Sequence, residues 1–264
     1  MFLEPINFAQ MYREHKATTD FKCKSSSDWD EKSADMAVSM INSPYVNDFL
    51  SRMNITGDEV VLDIGCGPGT LAIPLAKLVK EVIAIDFSAQ MLEELKAYAA
   101  REGITNIKTY HIGWDDDWSC LPQIDIVVAS RSMEVADIDA ALAKMSAHAL
   151  KACYLTYKVG GSFVDMNILD FIGKKVKTKP DYWYIPILLY AQGYLPRIDY
   201  IETGRGSVRS GNEDEFVESL IWSVHELSEE QQTKAREYYR EVIIAQNRPP
   251  RAVNWAFIGW ETSK

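Results

Sequence analysis

The chain has 264 residues, 47% of them hydrophobic and 25% charged, with a formal net charge of -10 and a pI near 5.0. That size suits one domain, with or without insertions, whose core needs no disulfide or metal to hold it. The acidic balance argues against a nucleic-acid partner and against an anionic membrane surface, because both recruit basic side chains.

The cysteines, Cys23, Cys66, Cys120 and Cys153, are scattered without a C-x-x-C pair, and the four histidines show no ligand spacing. The expectation is no metal site and a reducing compartment. No apolar run approaches the ~20 residues of a membrane span, and the start Met1-Phe2-Leu3-Glu4-Pro5 lacks the basic-then-apolar pattern of a signal peptide. A cytoplasmic location is therefore expected.

Residues 1–34 are polar and mixed, with Trp29 the large aromatic of the stretch CKSSSDWDEKS. They are expected to form an N-terminal arm, either solvated or a lid anchored by Trp29. Residues 35–57 space their apolar side chains as a helix. Val60–Ile64 is a short apolar, β-branched run and predicts a buried strand. A glycine-rich turn over 65–69 follows, then a predicted helix over 70–80 capped by Thr70. The alternation repeats with strands at 82–85, 107–112, 124–129 and 152–159, and helices at 88–102 and 138–150. Repeated strand–helix units imply a parallel sheet with helices on both faces.

Beyond Gly160-Gly161 the pattern loosens. An aromatic segment spans Asp181–Tyr194, a strand is expected over 197–203, helices over 213–227 and 229–246, and a closing strand over 251–260. The chain is expected to be a single domain over 1–264. Its cofactor-binding core is 58–160, and its substrate-side insertions and helices are 161–250.

The sequence Asp63-Ile64-Gly65-Cys66-Gly67-Pro68-Gly69 sets D-x-G-x-G-x-G between a strand and a helix. Glycines at these positions permit dihedrals that other residues avoid and let a ligand reach the backbone. The helix that follows is expected to offer free N–H groups. A dinucleotide enzyme would want G-x-G-x-x-G, but Thr70 occupies the place of its third glycine. Asp86 ends the second predicted strand, at the distance expected of a ribose-binding acid.

Residues 58–160, about two-fifths of the chain, resemble class I S-adenosylmethionine-dependent methyltransferases in the stretch VLDIGCGPGTLAIPLAK…EVIAIDFSAQMLEELKAYA. The resemblance implies a Rossmann-like α/β fold: a doubly wound, seven-stranded, mainly parallel sheet with an antiparallel last strand. It also implies extra helices over the strand C-terminal ends and S-adenosylmethionine as cofactor. By the same resemblance, Gly65, Cys66 and Gly67 would face the methionine part, and Asp63 would hold the loop and the cofactor amino group. Asp86 would bind the ribose, Phe87 would pack on the adenine, and Ser130 would lie near the reacting methyl. The family often has an aspartate after the third strand for the adenine amino group. Gly113 stands there instead, so either Asp115 reaches the amino group or Trp114 covers the adenine.

The acceptor is not legible. The position after strand four reads Ala129-Ser130-Arg131-Ser132, without the Asn-Pro-Pro-Tyr or Asp-Pro-Pro-Tyr of many amino-methylating nucleic-acid enzymes. With the acidic charge, this favours a small-molecule acceptor. Trp29, Arg131, Trp183 and Tyr184 are the candidate substrate contacts, and each has a packing or surface ion-pair role as its rival. His111, Glu134 and Tyr157 are candidate bases without a marking neighbour. The expected function is methyl transfer from S-adenosylmethionine. The rivals are a protein that holds the cofactor or its product without turnover, and an NAD-dependent oxidoreductase, which the loop pattern disfavours.

Overall fold

The computed structural model describes residues 6–21, 25–30, 43–203, 211–248 and 251–262. Their contacts define two compact units. Of the predicted helix 35–57, Pro44–Ser51 is helical, opened by a proline in its first turn; 52–57 are turn and loop, and the stretch 35–42 lies outside the described residues.

One unit comprises described residues within 24–157, 185–201 and 256–264 and carries the sheet. The strands are β1 (Val60–Ile64), β2 (Glu81–Asp86), β3 (Ile107–His111), β4 (Ile124–Ser130), β5 (Ala149–Lys158), β6 (Arg197–Glu202) and β7 (Asn254–Glu261). They lie in the order β3-β2-β1-β4-β5-β7-β6. Pairing is parallel from β3 through β5, with Val60 opposite Glu81, Val61 opposite Ile126 and Val82 opposite Ile107. At the other edge, Thr262 donates to Lys151 and Val159 to Asn254, so β7 retreats as β5 advances and the two are antiparallel. Consecutive residues of β1, β2 and β4 are buried, as strands covered on both faces must be.

Other boundaries moved as well. The helix predicted over 70–80 is a single turn, Ala72–Ala76, with no side-chain cap from Thr70. It unwinds because Lys80 and Glu81 must donate to Glu59 to start β2. β5 begins at Ala149 rather than 152. Its pairing slips by one residue, since Ile124 faces Ala149 whereas Ile126 faces Ala152, and that bulge absorbs residues expected in the preceding helix. The helix predicted over 229–246 is α-helical only over Glu229–Tyr238 and widens to a π-turn over Tyr239–Ile244.

The other unit comprises described residues within 1–23, 158–184 and 202–255. Its core includes Phe21, Ile168, Leu169, Phe216, Leu220 and Tyr238. Within the predicted arm, Phe8–Thr18 forms a helix capped by Asn7. Tyr12 is fully buried, with its ring edge-on to Tyr184 at 5.5 Å. Asp20 accepts from the Lys177 amide at 2.6 Å and fixes the exit of that helix. Among the described residues no helix is long and apolar enough to cross a membrane.

Candidate functional site

The glycine loop leaves β1 and turns back onto β2. The Gly65 and Cys66 amides both donate to Ile85 O, at 2.8 and 3.1 Å. Gly67 N donates to Asp86 Oδ2 at 2.8 Å, and Gly69 N to Cys66 O at 3.1 Å. These four loop N–H groups are satisfied within the protein. A pyrophosphate would need free donors. What the loop gathers instead is carboxylate: Asp63 at the end of β1 and Asp86 at the end of β2, 2% and 5% exposed.

All three glycines have positive φ, for different reasons. A Cβ on Gly65 would stand 2.5 Å from Ser132 Cβ, and one on Gly69 would stand 2.4 Å from Leu95 Cδ1 and 2.8 Å from Ile73 Cγ1. Gly69 thus does the helix-packing duty that the dinucleotide pattern assigns to a glycine at position 70. Gly67 has open space, with Met91 Sδ 4.0 Å away.

Asp86 Oδ1 also accepts from Ser88 N at 2.9 Å, so this carboxylate ties the loop to the start of the helix Ala89–Arg101. Ser88 caps that helix by accepting from Met91 N, and its hydroxyl donates to Asp30. The short helical stretch 26–30 that carries half-buried Trp29 is thereby fastened beside Asp86. Phe87 follows, 44% exposed, with its carbonyl bonded to His111 Nε2 at 3.0 Å.

Gly113 sits against Phe87, and its amide donates to Asp116 Oδ2 at 2.7 Å, while Asp115 is exposed. Lys144 donates to the carbonyls of Trp114 and Asp116 at 2.7 and 2.6 Å. Trp114 is half-buried and donates its indole N–H to Ser132 O at 2.9 Å; Ser132 Oγ in turn donates to Ile64 O at 2.6 Å. The tryptophan is thus bonded to the residue that touches Gly65.

At the end of β4, Ser130 Oγ shares a hydrogen bond with Tyr45 OH at 2.8 Å, and Tyr45 OH shares another with Thr156 Oγ1 at 2.7 Å. Sequence reasoning missed Tyr45 and Thr156. Tyr45 lies 85 and 111 residues from its two partners, so no local pattern marks it. Of the candidate bases, His111 is bonded to Phe87 O, Glu134 is exposed and Tyr157 is buried. Of the aromatic candidates in the other unit, Tyr184 is buried at 3% exposure against Tyr12, and Trp183, 38% exposed, stacks on it at 3.9 Å.

Residues 61–151 match a family profile described as a methyltransferase domain. A protein of Haemophilus influenzae, described as uncharacterized, is 34% identical over 268 residues and covers the whole of both chains. A probable ribosomal RNA small subunit methyltransferase A of Methanosphaera stadtmanae is 28% identical over 165 residues, 62% of this chain and 55% of that relative. Among solved structures, the YcgJ protein of Bacillus subtilis has the same fold, with a TM-score of 0.57 at 16% identity over 83% of this chain and 98% of that one. The chain belongs to the class I S-adenosylmethionine-dependent methyltransferases.

The electrostatics of this methyltransferase fit its cofactor, which carries a sulfonium and an ammonium. Burial, reinforced by the charge of Asp86, pushes the Asp63 carboxyl up to about 7. Asp63 Oδ2 is buried and has no hydrogen-bond partner within the protein. An orphaned carboxylate oxygen beside a second buried carboxylate requires a donor, best a cationic one. Burial also raises Asp86 and the Cys66 thiol, the latter with help from both aspartates, so Cys66 stays a neutral lining group.

Proposed function

We propose that this methyltransferase transfers a methyl group from S-adenosylmethionine to a small-molecule acceptor, with residues 58–160 as the cofactor-binding core. The observation that carries the cofactor assignment is the pair Asp63 and Asp86, buried carboxylates beside a loop whose amides are already bonded. In this reading Asp63 takes the ammonium, directly or through water, and Asp86 takes the ribose hydroxyls with its remaining lone pairs. Gly65, Cys66 and Gly67 face the methionine part, and Phe87 packs on the adenine. Trp114 closes the far side, Asp115 is near enough in sequence to serve the adenine amino group, and Ser130 stands by the reacting methyl.

The cofactor supplies an electrophilic methyl. The protein has to hold the acceptor atom in line behind it and keep water out. No side chain need abstract a proton if the acceptor is a free amine or a thiolate. The net charge of -10 supports a small molecule over a polyanion. Relatives whose names refer to ribosomal RNA cover 62% of the chain in one case and 31% and 29% in two others, so RNA is kept as an outcome of the test.

The test has two stages. Calorimetry with S-adenosylmethionine, S-adenosylhomocysteine and NAD should give binding of the first two only. Labelled methyl groups should then enter the low-mass fraction of a cell extract. Label in RNA or protein would overturn the small-molecule reading, and cofactor binding with no label anywhere would leave a binding protein.

A further inference from the structure

Arg131 follows the last residue of β4 and precedes the serine that touches Gly65, so it borders the cofactor loop. Its backbone has φ 59, the left-handed region that non-glycine residues rarely enter without a reason. The conformation is pinned, because Arg131 N donates to Thr156 Oγ1 at 3.1 Å. The guanidinium carbon lies 4.4 Å from the centre of the Tyr45 ring. That ring is itself braced through its hydroxyl by Ser130 and Thr156.

Arg131 is half-buried, and its guanidinium makes no ion pair or hydrogen bond among the described residues. The chain carries 38 acidic side chains against 28 basic ones, and Arg52, Arg236 and Arg240 each find a carboxylate. A cation lacking one in such a chain, on a fixed aromatic platform and a strained backbone, is preorganised for a ligand. Stacking on Tyr45 uses one face of the guanidinium plane and leaves its N–H edge to donate in a fork.

We infer that Arg131 is the receptor for an oxyanion on the methyl acceptor, a carboxylate or phosphate group. The inference rests on the small-molecule reading above and names the class of that molecule. A planar fork matches two oxygens of one group, so it selects orientation as well as charge. An anchor beside Ser130 would hold the acceptor at the end of β4, where the methyl is delivered. It also supplies local attraction in a protein whose overall charge repels anions.

The experiment has two arms. In the first, S-adenosylmethionine and 5′-methylthioadenosine, which lacks the amino-acid part, are titrated into wild type, Arg131→Gln and Arg131→Lys. Both affinities should stay within about twofold. A tenfold loss for S-adenosylmethionine alone would assign the guanidinium to the cofactor's own carboxylate and overturn the proposal. In the second, a low-mass extract is divided by anion exchange at neutral pH and each fraction is offered as acceptor with labelled S-adenosylmethionine. Label should enter the retained, anionic fraction. With that fraction Arg131→Gln should raise KM at least tenfold with little change in kcat, and Arg131→Lys, which keeps the charge and loses the fork, should fall between. Label in the unretained fraction, or an unchanged KM in both variants with unchanged melting temperatures, overturns the oxyanion while leaving a small-molecule enzyme. Label only in macromolecules, or nowhere, overturns the small-molecule reading and this inference with it.

Discussion

Cofactor affinity should depend on pH through Asp63. The carboxyl titrates at about 7 in the free protein because burial and Asp86 disfavour its charge. A bound ammonium reverses that preference, so only the ionised fraction of Asp63 is competent to bind. With a value near 7, about a tenth of the molecules are competent at pH 6 and about nine-tenths at pH 8, so the dissociation constant should tighten by about tenfold across that interval. At pH 7 binding should release about half a proton. Calorimetry in two buffers of different ionisation enthalpy measures both quantities, and Asp63→Asn should abolish the release and flatten the profile. The free protein should show the opposite trend in stability. A carboxyl raised on folding stabilises fully below its unfolded value near 3.8, and that contribution is lost as pH rises through about 7. Melting temperature of the unliganded protein should therefore fall between pH 5 and 8, and less so in Asp63→Asn. An affinity that is flat from pH 6 to 8, with no proton release, would refute the assignment of Asp63 to the ammonium.

Further outcomes follow from the geometry. Asp86→Asn should weaken S-adenosylmethionine by roughly tenfold or more, as loss of charge-assisted bonds predicts. Because Asp86 is buried and ties Gly67 to Ser88, Asp86→Ala should also lower the melting temperature, contrary to what a surface strand end would do. Gly65→Val should abolish cofactor binding, since its Cβ would meet Ser132 at 2.5 Å with φ +63; Gly69→Ala should cost about 1–3 kcal/mol in a denaturant titration by pressing on Leu95 and Ile73.

The centre of the sheet was legible because β1, β2 and β4 are short apolar runs, and the acid–glycine loop has a fixed place between the first strand and its helix. Periodicity could not find the one-residue slip between β4 and β5 or the π-turn at Tyr239–Ile244, since both shift hydrogen bonds without shifting the apolar pattern. Composition placed glycines in the loop but not their neighbours. That Gly65 meets Ser132 and Gly69 meets Leu95 depends on contacts between distant segments. Arg131 was visible only as a charge. Its positive φ and its platform on Tyr45 come from Thr156 and from a helix far upstream.

The crowding around the loop bears on how such a protein can change over generations. A Cβ at Gly65 or Gly69 would press on a side chain from another element and would also sit at a positive φ, so a second substitution at Ser132, or at Leu95 and Ile73, relieves only part of the cost. Single-step variation at those two sites is costly. Gly67 has space for a side chain but a φ of 53, so its barrier is conformational and an asparagine or aspartate is the least costly replacement there. Drift in cofactor preference therefore has one narrow opening. Ser130, Arg131 and Thr156, at the ends of β4 and β5, are not among the atoms a Cβ at those glycines would meet, so on the proposed reading changes in acceptor specificity would arise there.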